Sequence, residues 1–88
     1  MALESRKGMS KITTETSVVY PEGYTDEDII LCNYTITGYN NSADIEWPFC
    51  KANKDQSIQS AIRKVGLINK SIKKIIITPI KKIGARNP

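Results

Sequence analysis

Residues 29–39 read Ile29-Ile30-Leu31-Cys32-Asn33-Tyr34-Thr35-Ile36-Thr37-Gly38-Tyr39, and Asn40-Asn41 and Ala43-Asp44-Ile45-Glu46-Trp47-Pro48-Phe49-Cys50 follow. In the first stretch Ile30, Cys32, Tyr34 and Ile36 share one parity, and Asn33, Thr35 and Thr37 share the other. That period of two is the signature of a half-buried strand. Asn40-Asn41 predicts a tight hairpin turn, since asparagine tolerates positive φ. The second stretch alternates again, with Ala43, Ile45, Trp47 and Phe49 inward and Asp44 and Glu46 outward. Pro48 carries no amide hydrogen, so this strand is expected at a sheet edge or to end early.

Working outward, Ile12-Thr13-Thr14-Glu15-Thr16-Ser17-Val18-Val19-Tyr20 is rich in β-branched residues and predicts an earlier strand, closed by Pro21-Glu22-Gly23. Downstream, Ile58, Ala61, Ile62 and Val65 fall at i, i+3, i+4 and i+7, the apolar stripe of a helix. Asn53 with Gln56 suggests a variant capping box, Asp55 and Arg63-Lys64 suit the two ends of the helix dipole, and Gly66 suits its end. Residues 71–80, with three consecutive isoleucines, read as a final strand buried on both faces for part of its length. Pro79 is expected to stop it, leaving 81–88 outside regular structure.

The expectation is therefore an α+β fold, a small single domain ordered β-β-β-α-β. It is an antiparallel meander with one helix packed on one face and a final strand, parallel either to the third strand or to the first. The domain spans 11–83, after a flexible leader or cloning remnant at 1–10 and before a frayed basic tail at 84–88. With 88 residues and 40% apolar composition the chain has room for one modest core. Its apolar runs fall far short of a membrane span.

The absence of histidine is the most restrictive feature for chemistry. It removes the usual general base near neutral pH, every histidine-activated serine or cysteine nucleophile, and histidine-containing zinc sites. Two cysteines, Cys32 and Cys50, cannot build an all-thiolate tetrahedral site, and Cys32 reads as a small buried hydrophobe. No phosphate-cradling glycine motif is present. Glu22, Asp26, Glu27 and Asp28 follow no calcium-loop pattern and read as a solvated acidic turn. Asp44 and Glu46 read as the outer side of a strand. The expectation is no enzyme: no catalytic residues, no metal, no cofactor, no small-molecule substrate and no membrane association.

Charge is unevenly distributed. Residues 11–50 carry one lysine against seven carboxylates, a net −6, and residues 51–88 carry ten Lys/Arg against Asp55 alone, a net +9, within a whole-chain charge of +4. The two halves either attract each other or present a basic docking surface. The basic reading makes the chain a binding module that docks an acidic partner, RNA or DNA backbone above all, within a larger assembly. Its contact residues are Arg63, Lys64, Lys70, Lys73, Lys74, Lys81 and Lys82. All the aromatics (Tyr20, Tyr24, Tyr34, Tyr39, Trp47 and Phe49) lie outside the basic half, which argues for backbone contact over base stacking. The alternative is a protein-binding adaptor or inhibitor, or self-association, through a sheet edge or through Trp47 and Phe49 flanking Pro48. The wealth of isoleucine, lysine and asparagine fits AT-rich codons, from a low-GC genome, a phage or another mobile element. No secretory signal is visible, so a cytoplasmic setting is expected.

Overall fold

Ile30, Cys32, Tyr34 and Ile36 are each at most 1% exposed, so the alternation read in the sequence does bury one face of its strand. The computed structural model describes residues 16–67 and 71–85. They form β1 (Ser17–Val19), β2 (Asp28–Gly38), β3 (Ser42–Cys50), a 3-10 turn (Lys51–Asn53), α1 (Lys54–Val65) and β4 (Ile72–Ala85). The fold is α+β, with one helix and a four-stranded mixed sheet ordered β1-β4-β2-β3.

The element order matches expectation, but one pairing differs. β2 and β3 form the antiparallel hairpin. β1, however, does not pair with β2 to complete a meander. β4 lies between them, antiparallel to β2 and parallel to β1. The isoleucine run explains the placement. Ile75 and Ile77 are the most buried residues of β4, and they stand opposite Ile36 and Tyr34 on the core face. A strand this apolar is stabilised more by a central position than an edge. Ile76 turns to the other face and is half-buried.

The core cluster joins these strand residues and Phe49 to Ile58, Ala61 and Ile62 of α1. α1 leans chiefly on β3. Its end is as expected. Gly66 has φ 81°, its N–H donates to the Arg63 carbonyl, and the Leu67 N–H donates to that of Ile62. This pair of bonds is a Schellman closure, with Leu67 buried beneath it. The start is not as expected. Asn53 makes no side-chain cap, because the preceding 3-10 turn leads the chain into the helix. Ser57 Oγ instead accepts from the Cys50 N–H at 3.3 Å.

Pro79 does not end the last strand, which runs on to Ala85. Backbone geometry gives the reason. The Gly38 N–H donates to the Asn41 carbonyl, so the turn centres on Tyr39-Asn40, one residue earlier than expected. Gly38–Asn41 is then a bonded pair, and alternation along the ladder makes Leu31–Pro48 a non-bonded one. Pro48 therefore turns its missing N–H away from the sheet, on edge strand β3. The same alternation carried across β2 turns Pro79, opposite Cys32, towards the side that β1 leaves uncovered. Neither proline breaks a ladder bond. Among the described residues no helix is long and apolar enough to cross a membrane.

Candidate nucleic-acid interface

Chain direction sets the height of each basic residue. β3 runs away from the hairpin, α1 returns towards it, and β4 starts beside it, where the Tyr39 N–H donates to the Ser71 carbonyl at 3.2 Å. Arg63 and Lys64, in the last turn of α1, and Lys73 and Lys74, at the start of β4, therefore lie in the half of the molecule nearer the hairpin. Lys81 and Lys82 lie seven or more residues further along β4, about 24 Å away at the strand rise.

The seven expected contact residues are thus not one continuous face. Lys82 is moreover engaged, its Nζ 3.1 Å from Asp28 Oδ1. Asp28 also accepts from the Thr25 N–H at 3.1 Å. That backbone bond and the Lys82 ammonium together hold its carboxyl below the usual range. This ion pair joins the far part of β4 to the start of β2. Lys70 lies outside the described residues, as do the 1–10 leader and the end of the basic tail.

Folding instead brings aromatics from the acidic half against cations from the basic half. Lys64 Nζ lies 5.8 Å from the Trp47 ring centroid, Lys73 Nζ lies 5.3 Å from that of Tyr39, and Lys54 Nζ lies 5.0 Å from that of Tyr20. All three fall within cation–π range. The first belongs to an open groove of about 380 Å³ lined by Trp47, Ser60, Arg63 and Lys64. The groove forms because the inward face of β3 carries Trp47 out to the sheet edge, where the last turn of α1 passes over it. The indole is half-buried, held by the core on one side and accessible on the other.

The sequence separates Trp47 from Lys64 by 17 positions, and only the path of α1 over β3 brings them together. No local pattern signals that meeting. The open face of the sheet is different in kind. Alternation puts Asn33, Thr35, Thr37, Asp44, Glu46, Lys74 and Thr78 there, with no aromatic ring among the described residues.

The protein-facing alternative fares differently at its two ends. Phe49 is 1% exposed and belongs to the core, which leaves Trp47 as the accessible ring of that pair. Edge strand β3 and the part of β4 that β1 leaves uncovered each carry an outward-facing proline, and β4 adds bulges and lysines beside it, features that oppose the addition of another strand. Cys32 and Cys50 are buried free thiols. Among the described residues no group of carboxylates and thiols is placed to hold a metal ion. Compared with protein-family models, curated proteins and solved structures, the chain matches none.

Proposed function

We propose that this chain is a non-enzymatic module that binds single-stranded nucleic acid, as part of a larger assembly, in the groove between Trp47 and the last turn of α1. The observation that carries this reading is the Trp47 ring with Lys64 5.8 Å from its centroid and Arg63 and Ser60 alongside. A base stacks on an accessible ring without regard to its identity, and neighbouring cations neutralise the phosphates on either side. When a base arrives, the Lys64 ammonium leaves the ring for a phosphate and exchanges one electrostatic partner for another. The absence of rings from the open sheet face makes the groove the better platform. Lysine at Lys64 and Lys73 favours diffuse phosphate contact over bidentate reading of base edges.

Trp47 is the sole tryptophan, so its fluorescence reports the site directly. Adding a single-stranded oligonucleotide at low salt is expected to quench it, and raising the salt to restore it. Unchanged emission at saturating oligonucleotide in low salt rules the reading out.

A further inference from the structure

We propose that Tyr39 is a second stacking position for the same strand. The minimal full ligand is then a single-stranded segment of about seven nucleotides running from the groove to the hairpin tip. This rests on the reading of the Trp47 groove given above.

Tyr39 is 73% exposed, the largest exposure among the big apolar side chains of the described residues. Its ring adds nothing to the core. Its backbone, in contrast, is pinned on both sides. The Tyr39 N–H donates to the Ser71 carbonyl, and the flanking Gly38 N–H donates to that of Asn41. A ring with two torsions on a fixed backbone loses little freedom when a base settles on it. Lys73 stands 5.3 Å from the ring centroid, repeating the chemistry of Trp47 and Lys64 in a second place.

The spacing sets the ligand length. Trp47 stands opposite Cys32, seven residues from Tyr39 along β2, so the two rings are separated by roughly 24 Å along the strand. A stacked nucleic-acid strand advances about 3.4 Å per nucleotide, so about seven nucleotides bridge them. That lies within the usual site sizes for single-strand binders. Lys64 and Arg63 then meet phosphates at one end of the segment and Lys73 at the other.

The test compares thymidine dinucleotide and octanucleotide, read by Trp47 quenching, on the wild-type chain and on Tyr39→Ala. The ring is exposed, so the variant keeps its fold, checked by circular dichroism. Wild type is expected to bind the octanucleotide at least tenfold more tightly than Tyr39→Ala does. Dinucleotide affinity and the depth of quenching should be equal in the two, and Tyr39→Phe should recover the octanucleotide affinity. Equal octanucleotide affinity in wild type and Tyr39→Ala, with quenching intact, overturns the second position and leaves the groove standing. Absence of quenching by either oligonucleotide overturns the groove itself, and this inference with it.

Discussion

The Tyr34 hydroxyl donates to the Pro48 carbonyl at 2.8 Å, joining the most buried tyrosine to the residue that follows Trp47. Burial pushes the Tyr34 phenol well above its ordinary range, so it remains a donor throughout the accessible pH range. Tyr34→Phe removes the donor and keeps the ring. It should cost about 1 kcal/mol in urea unfolding. It should also broaden Trp47 emission, because the backbone beside the indole loses its tether.

Salt dependence distinguishes the two groups of lysines. If Arg63, Lys64 and Lys73 each neutralise one phosphate, log K against log salt should have a slope of about −2 for a single strand. Arg63→Gln or Lys64→Gln should each reduce that slope by about 0.7. Lys82→Gln should leave it unchanged, since that ammonium is held by Asp28 at the other end of β4. Fluorescence titrations over a range of salt concentrations measure all three.

Asp28 gives the fold an acid-sensitive joint. Its carboxyl is held below its ordinary value of 3.8 by the Thr25 N–H and by Lys82. A depressed folded-state value means the charged form stabilises the native state above the unfolded value, and that this stability is lost as pH falls through the folded one. Asp28→Asn should therefore flatten the loss of stability below about pH 4. Thermal melts of both proteins from neutral pH downward test this.

Two glycines should respond differently to alanine. At Gly38 a Cβ would lie 2.7 Å from the Ser71 carbonyl oxygen, so the hairpin and the start of β4 would have to separate. A loss of about 2 kcal/mol is expected, together with weaker binding at the tip. At Gly66 a Cβ meets nothing within 4 Å, but φ is +81°. The loss there should be about 1 kcal/mol, from backbone strain alone. Chemical denaturation of the two variants should rank them in that order.

The Cys32 thiol is pushed up to about 11 by burial. An unfolded thiol ionises near 9, so between these values the unfolded state releases a proton that the folded state keeps. Stability should fall as pH rises through that window. At neutral pH Cys32 should resist thiol reagents until denaturant is added, which mass spectrometry after alkylation can follow.

What could be read from the sequence was whatever repeats locally. The period of two in 29–39 gave the buried face of β2, the spacing of Ile58, Ala61, Ile62 and Val65 gave α1, and Gly66 gave its end. Pro48 marked β3 as an edge. Whether the last strand would lie parallel to β1 or to β3 stayed open, because Ser17 meets Lys74 across 57 positions and no short pattern encodes that pairing. Pro79 misled for a related reason. Whether a proline breaks a strand depends on which way its nitrogen points, and strand order fixes that direction. The candidate site was half visible. Arg63, Lys64 and Trp47 each stood out, but as members of competing readings, and only the crossing of α1 over β3 places them in one groove.

The strand order also bears on how the chain is made. β4 supplies the middle of the sheet, yet among the described elements it is the last to leave the ribosome. Until it emerges, β1 has no neighbour and β2 has only its hairpin partner, with the apolar face of both still wet. A nascent chain stalled before residue 72 would therefore be a substrate for chaperones and proteases. Trimming β4 should remove the whole fold rather than shorten it.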